Sequence, residues 1–387
     1  MNRMLINPFF MYSLSFSISL ILYELRWSSL YPELSENLFL FLLSTIIISL
    51  VFSVLLNSFV KIKCYNTLIT KRNNTYILIF ITIGFLSEFI YSRGVPLFSV
   101  LLGYEMNYKE FGIPSFHVFL LPYTSIFSIV SFYRFLENNK KKYFLISVIY
   151  SIFLISLVMN RGALLIILFS IGLILIHKKL SLKVSIFMLL SGVVTIYMFG
   201  FLGNKRMLSS GYQDELAILN IAEATDEFKD NIVPNEFFWG YLYSTISIAN
   251  LENQDSSYEI DENKIVNIFL LESLPDFLSK RIYSEDELDK FKPILIKNEL
   301  TTSTLYGRAS YINGILGMVE VYIIYISFCL FCILLSPKNY KIVILSVLCV
   351  ISSLSIFANM LVFSGTSLQI ILAILFLSIS SKRISLL

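Results

Sequence analysis

The stretch NLFLFLLSTIIISLVFSVLLNSF, Asn37 to Phe59, runs for 23 residues without a charge. A helix needs about 20 apolar residues to cross a hydrocarbon core, so this segment reads as a membrane span. Comparable apolar runs start near Pro8, Asn37, Thr75, Ser115, Lys142, Gly162, Lys183, Tyr311, Lys341 and Gly365, which predicts ten helices. The whole chain agrees: of its 387 residues 56% are hydrophobic and only 15% charged, against about 25% charged in soluble domains, and its mean hydropathy is +0.74. The expected fold is an all-α, polytopic membrane bundle.

One polar block of 109 residues, Gly203 to Tyr311, interrupts this pattern. It divides the chain into residues 1–202 with spans 1 to 7, a large loop or lid at 203–311, and residues 312–387 with spans 8 to 10. Asp214 to Phe228 and Lys264 to Lys280 place apolar residues at helical spacing among acids, the pattern of amphipathic helices capping a bundle. A smaller excursion, residues 92–114, carries Val95 to Leu102, which is too short to span and is expected to lie at the interface.

Cytoplasmic loops accumulate Lys and Arg. Alternate loops and ends collect sixteen cations on one side, including Arg134, Lys178 and Lys341, against Arg26, Arg93, Lys109 and Arg161 in the short loops opposite. The long block holds ten cations and nineteen acids, a formal balance of −9. Both termini are therefore expected in the cytoplasm and the acidic block outside it. The global charge of +3 reflects topology and gives no sign of nucleic acid as a partner. No small-residue cleavage site follows Leu25, so the first run is read as a retained helix. Cys64, Cys329, Cys332 and Cys349 fall in helices or a cytoplasmic loop, away from the oxidising side, and the C-x-x-C of Cys329 and Cys332 lies in mid-span, where packing is the better reading. Glycine-rich phosphate loops, H-E-x-x-H helices and repeats are absent from the sequence, so its chemistry must come from sparse polar residues.

Three stretches read together. Gly94-Val95-Pro96-Leu97-Phe98 after a helix containing Glu88, then Tyr108-Lys109-Glu110-Phe111-Gly112-Ile113-Pro114-Ser115-Phe116-His117, resembles the "G-I-P-L-F … Y-x-x-F-G-I-P-x-x-H" excursion of the oligosaccharide repeat unit polymerases, the Wzy-type O-antigen polymerases. Asn160-Arg161-Gly162-Ala163-Leu164-Leu165 is similar to that family's "R-G-x-L-L" turn. Tyr241 to Leu251 resembles its tyrosine-rich loop segment, and Thr301 to Gly317 its polar run into a Gly-containing helix. Val95 stands where Ile is commoner, and Arg308 falls inside the Tyr-Gly-Arg run. The resemblance implies a GT-C-like membrane glycosyltransferase of the bacterial inner membrane. Such an enzyme transfers a growing glycan from undecaprenyl diphosphate onto the next lipid-linked repeat unit at the periplasmic face. Membrane lipids and a chain-length regulator are the further partners it suggests; no cofactor and no metal are expected.

Breaking a sugar–diphosphate bond leaves a dianionic group in a partly desolvated site, which calls for aimed cations, and arginine grips phosphate oxygens in a bidentate way. Arg161 sits in a turn of few residues on the side that disfavours cations; it reads either as that ligand or as a snorkelling interfacial residue. Lys205, Arg206 and Arg308 return cations to the membrane surface at both ends of the lid, and Arg93 and Lys109 bracket the small excursion. Each is a diphosphate ligand or a headgroup anchor. The attacking hydroxyl needs a proton acceptor, and ionisable residues in spans are few. Glu88, near the outer end of span 3, is a base, a sugar ligand or the partner of a cation such as Arg93. His117 opens span 4 with the side chain whose charge changes nearest neutrality, and it reads as a catalytic or a structural histidine. Asn313, Gly317 and Glu320 fall at i, i+4 and i+7, an amide and a carboxylate on one helix face that lines a sugar pocket or pairs with a neighbouring helix. Trp239, Tyr241, Tyr243 and Tyr306 give the lid aromatic faces for sugars or a membrane belt. The acids from Glu285 to Asp289 read as a solvated run. A lipid-linked oligosaccharide flippase, for which intramembrane carboxylates speak, and an O-antigen ligase, which shares the need for Arg on diphosphate, are the competing functions.

Overall fold

The computed structural model describes residues 4–59, 71–102, 111–137, 141–179, 182–209, 212, 214, 216–254 and 263–384. Ten long helices start within four residues of the ten apolar runs: α1 (Pro8–Tyr23), α2 (Glu36–Phe59), α3 (Lys71–Tyr91), α5 (Phe116–Glu137), α6 (Lys142–Leu157), α7 (Arg161–Lys179), α8 (Leu182–Ser209), α15 (Gly307–Leu335), α16 (Lys341–Leu354) and α17 (Ser364–Ile384). Among the described residues, five helices are long and apolar enough by themselves to cross a membrane: Glu36–Phe59, Asn73–Tyr91, Phe116–Glu137, Arg161–Lys178 and Gly307–Leu335. Pro8–Tyr23, Lys142–Leu157 and Ser364–Leu375 are apolar but shorter. No β-strand is formed among the described residues; Ser28 and Ala224 make one isolated bridge.

α16 is buried along most of its length and packs against α1, α7 and α17, while α5 packs on α6, α7 and α17. Hydroxyls tie these apolar helices together where no water competes. Tyr12 reaches Thr45 (3.0 Å), Tyr322 reaches Ser49 (2.7 Å) and Tyr325 reaches Ser352 (2.8 Å), linking α1, α2, α15 and α16. Cys329, Cys332 and Cys349 are buried free thiols in this packing.

The polar block is helical, with boundaries that differ from the sequence pattern. α8 runs past Gly203 to Ser209, and α15 starts at Gly307. The 214–228 segment, expected as one helix, is two short ones, α9 (Ala217–Ile221) and α10 (Asp226–Lys229), separated where Glu223 takes φ 49°. The 264–280 segment is likewise α12 (Lys264–Ser273) and α13 (Asp276–Ile282), broken at Pro275 because proline lacks the N–H that would continue the ladder. α14 (Glu285–Lys290) starts at a capping box in which Ser284 and Glu287 bond reciprocally, so three acids meet the positive helix start.

The segment read as a tyrosine-rich loop is α11 (Phe237–Glu252), a mostly buried helix against α8, α1 and α15. Its Ser244 and Thr245 hydroxyls return to the carbonyls of Gly240 and Tyr241 (2.7 Å each), which hides their polarity inside the helix. α8 meets it at glycines: a side chain at Gly200 would strike the Glu236 backbone, and one at Gly203 the Trp239 ring. In the small excursion, Val95 to Leu102 contains the short helix α4 (Pro96–Leu101).

Candidate functional site

Phe80, Gly84 and Glu88 follow one another at four-residue spacing on α3, one face of a helix. A Cβ on Gly84 would lie 2.9 Å from Leu120 of α5, so that face looks at the start of α5. One turn further on, Glu88 Oε2 meets His117 Nδ1 at 2.9 Å. The structure thus brings together the two candidate proton-transfer groups, from positions 29 residues apart. Glu88 is 0% exposed and its second oxygen, Oε1, has no hydrogen-bond partner, whereas the His117 side chain is 21% exposed. The carboxylate is the hidden member of the pair and the imidazole the accessible one. Arg93, which the sequence offered as partner to Glu88, is exposed just beyond the end of α3 with φ 53°.

The Phe111-Gly112-Ile113-Pro114 strap explains its own composition here. Gly112 takes φ +101°, where L residues are strained, and a Cβ there would stand 2.7 Å from His117 Cγ and Nδ1. The ring of Phe111 meets His117 edge-on at 5.5 Å. Ser92 Oγ accepts from Gly112 N (2.9 Å), and His117 N donates to Ile113 O (3.0 Å), so the strap is pinned to both helices. Lys109, the diphosphate candidate in the same excursion, lies outside the described residues.

Arg161 is the exposed first residue of α7, capped by Asn160, whose Oδ1 accepts from Ala163 N at 2.9 Å. At its other end α7 carries Lys178, which pairs with Glu137 at the end of α5 and lies over Tyr133 at 5.1 Å. The two helices therefore run parallel with similar lengths, and Arg161 stands at the same end of the bundle as His117. No hydrogen bond or ion pair joins Arg161 to the Glu88–His117 pair. Arg206 rides on the last turns of α8 with its side chain outside the described set; its neighbour Lys205 lies 5.8 Å from the Phe201 ring centre.

Arg308 is answered from within the protein. Its Nε lies 3.6 Å from Glu272 Oε1, and its Nη1 donates to Leu271 O at 3.3 Å. Glu272, an acid the sequence reading passed over as part of an amphipathic helix, is 2% exposed and also accepts from Asn359 Nδ2 at 2.5 Å. Burial pushes its carboxyl above the ordinary range, and Arg308 and Asn359 oppose that rise. Asp276 N donates to Val362 O (2.7 Å) and Ser364 N to Asp276 Oδ1 (2.9 Å). This set latches α12 and α13 of the lid onto α15 and the α16–α17 connection.

The expected sugar face of span 8 does not form as a single stripe. Asn313 (φ −146°) and Gly314 (φ 55°) leave helical geometry, so α15 is two helical pieces across a kink and the i, i+4, i+7 relation of Asn313, Gly317 and Glu320 fails. Gly317 instead lets the 307–312 turn fold close, since a side chain there would meet Ala309 O. Tyr306 is 0% exposed, hydrogen-bonded to Tyr12 and edge-on to Phe41, and offers no face to a ligand. Tyr241 is also buried, accepting from Trp27 N at 3.1 Å; burial pushes its phenol up to about 12. Both are packing residues because their rings fill the seam between the lid and α1.

Tyr243 and Trp239 sit apart from that seam. They line a lid cavity of about 330 Å³ with Tyr212, Glu299, Thr301 and Thr302. Trp239 is oriented by its Nε1–H, which donates to Asn204 Oδ1 at 2.6 Å, and Thr302 Oγ1 is buried without a hydrogen-bond partner. Rings beside hydroxyls and a carboxylate offer a sugar both stacking surface and hydrogen bonds. Glu299, Thr301 and Thr302 carried no signal in the sequence, because only the fold brings this return segment against α11. Comparisons of the chain with protein-family models, with curated proteins and with solved structures give no match.

Proposed function

We propose that the protein is a membrane glycosyltransferase of the repeat-unit polymerase type, crossing the bacterial inner membrane ten times with both termini in the cytoplasm and the acidic lid outside. The observation that carries this reading is the Glu88–His117 pair, roofed by the Gly112 strap, at the lid end of an apolar helix bundle. Glu88 on Nδ1 favours the tautomer whose lone pair is on Nε2, the same division of labour that a buried carboxylate performs in hydrolytic triads. His117 then acts as general base and Glu88 orients it; the fully buried carboxylate is a positioning residue. The acceptor sugar hydroxyl gives its proton to His117 Nε2 as its oxygen forms a bond to the donor's anomeric carbon. The bond from that carbon to the diphosphate oxygen breaks, and the polyprenyl diphosphate departs with the electron pair. Arg161, exposed at the same end, is the cation for the departing charge. Trp239, Tyr243 and the lid cavity hold glycan. The sugar–diphosphate bond supplies the driving force, so the reading needs neither nucleotide nor cofactor.

Reconstitution in liposomes with undecaprenyl-diphosphate-linked repeat unit tests it. A ladder of multiples supports polymerase; a single transfer onto lipid A core points to ligase, and movement of the substrate between leaflets without new bonds to flippase. Arg161→Ala is expected to leave single repeat units in place of polymer, and polymer of ordinary length from that variant would remove Arg161 from the site. Gly112→Ala places a methyl against the His117 ring at a strained φ, and displacement of a catalytic group by about 1 Å slows a reaction about a hundredfold. The measurement is initial polymerisation rate at saturating substrate, with Ile113→Val as a control that leaves the ring undisturbed.

A further inference from the structure

Below the Glu88–His117 pair the bundle surface is open. A crevice of about 380 Å³ is lined by Phe80 of α3, Phe116, Phe119, Leu120 and Tyr123 of α5, and Leu372 of α17. α5 is its floor; α3 and α17 are its walls. Phe80 and Phe119 remain 52% and 41% exposed on the outer flank of the bundle. Tyr123 lies seven residues along α5 from Phe116, and Leu372 eight along α17 from Ser364, so the crevice reaches roughly 10–12 Å down from the lid end.

Its upper end is continuous with the proton-transfer pair and with the lid. Phe116 precedes His117 in the chain, and Phe80 is two turns below Glu88 on one face of α3. At the mouth, Phe277 of lid helix α13 meets Phe119 edge-on at 5.8 Å. Over Phe277 lies the guanidinium of Arg281, 6.0 Å from the ring centre, and its Nη2 donates to Ser115 Oγ at 3.2 Å. Arg281 is exposed and makes no ion pair among the described residues. The order from the bundle toward the lid is thus an apolar trough, an imidazole, and an exposed cation.

We infer that this crevice seats the hydrocarbon chain of a polyprenyl-phosphate lipid, with Arg281 meeting the phosphate and His117 beside the head. The inference rests on the polymerase reading for its choice of lipid. The trough matches an apolar chain, Arg281 supplies the charge complement of a phosphate, and the continuity with His117 places the reactive end of such an amphiphile at the base. A bilayer phospholipid shares the phosphate and the chain but has no reason to prefer this trough over the rest of the bundle's flank.

The test is photolabelling of the full-length protein in neutral phosphatidylcholine nanodiscs, using diazirine-bearing undecaprenyl phosphate in one arm and diazirine-bearing phosphatidylglycerol in the other. Undecaprenyl phosphate is expected to label the α5 turns from Phe116 to Tyr123 and the facing turn of α17. Leu372→Trp, which fills the trough, and Arg281→Gln, which removes the cation, should each lower that labelling about tenfold, as loss of a charge-assisted contact predicts. Leu375→Trp, on the lipid-exposed side of α17, should leave it unchanged. Equal labelling by phosphatidylglycerol, or labelling that neither variant reduces, overturns the inference. Arg281 lies on the surface of the lid, so its variant tests the idea even where Leu372→Trp fails to fold. Because no glycan is present, label without a polymer ladder in the liposome assay sinks the polymerase reading alone, and a ladder without label sinks this one alone.

Discussion

His117→Ala is expected to yield a folded protein that makes no detectable polymer, with transfer slowed about 10²- to 10⁴-fold, the range a positioned general base contributes. The loss leaves the buried Glu88 carboxyl without its hydrogen-bond partner, so stability falls as well, and the fold of the variant is checked by circular dichroism before its rate is read. Glu88→Gln keeps the shape of the partner but replaces an acceptor-only oxygen with an amide that can turn an N–H toward Nδ1 and select the wrong tautomer. Activity in Glu88→Gln should therefore fall nearly as far as in His117→Ala, while Glu88→Asp recovers part of it. Millimolar imidazole should restore some rate to His117→Ala and none to Glu88→Gln. A merely structural histidine would show no such rescue, and a wild-type ladder from His117→Ala would end the assignment.

The lid latch gives the second large effect. Arg308→Ala leaves the Glu272 carboxyl in its buried position without a cation; because Arg308 itself is about a third exposed, the cost is about 1–3 kcal/mol, that of an unsatisfied buried group. The sign with pH follows from burial, which raises the folded-state value of Glu272 above the unfolded one. A carboxyl so raised opposes docking at pH above its folded value, and the opposition fades as pH falls through that value and the group takes up a proton. Arg308→Ala should then loosen α12 and α13 at neutral pH and recover in acid, read as amide exchange across residues 264–282. Glu272→Gln has no charge to bury and should stay docked at both pH values. Adding it to Arg308→Ala should restore protection, the coupling expected of residues in contact. Unchanged exchange in Arg308→Ala at neutral pH would mean the latch is held by Asp276 and Ser364 instead.

The latch also reassigns a residue. In sequence, Arg308 is a cation just before a span and reads as a phosphate ligand or a headgroup anchor. In the fold, Glu272 lies against it from 36 positions earlier in the chain, and nothing in the local pattern of an amphipathic helix distinguishes an acid that will be buried from one that will be solvated. Tyr306 and Tyr241 follow the same logic in reverse. An aromatic ring with a polar tip suits a sugar or a packed seam equally, and burial against Tyr12 and Trp27 decides for the seam. Arg281 was one of ten cations in an acidic block until α13 docked beside α5.

Helix existence and placement belong to the sequence, because lipid accepts only backbone whose hydrogen bonds close within the segment. Uncharged runs such as Asn37–Phe59 therefore have one available structure, and their ends lie within a turn of where the polarity changes. The Phe111-Gly112-Ile113-Pro114 run stood out in the sequence only through a family resemblance; that Gly112 takes φ +101° against the His117 ring was decided by the fold. Which side chains meet was decided only in three dimensions. Glu88 and His117 lie on different helices, the kink at Asn313–Gly314 depends on Ala309 folding against Gly317, and the lid cavity is closed by a return segment more than 50 residues from Trp239. Such contacts are set by how helices pack, a long-range choice that local periodicity constrains to a face and never to a partner.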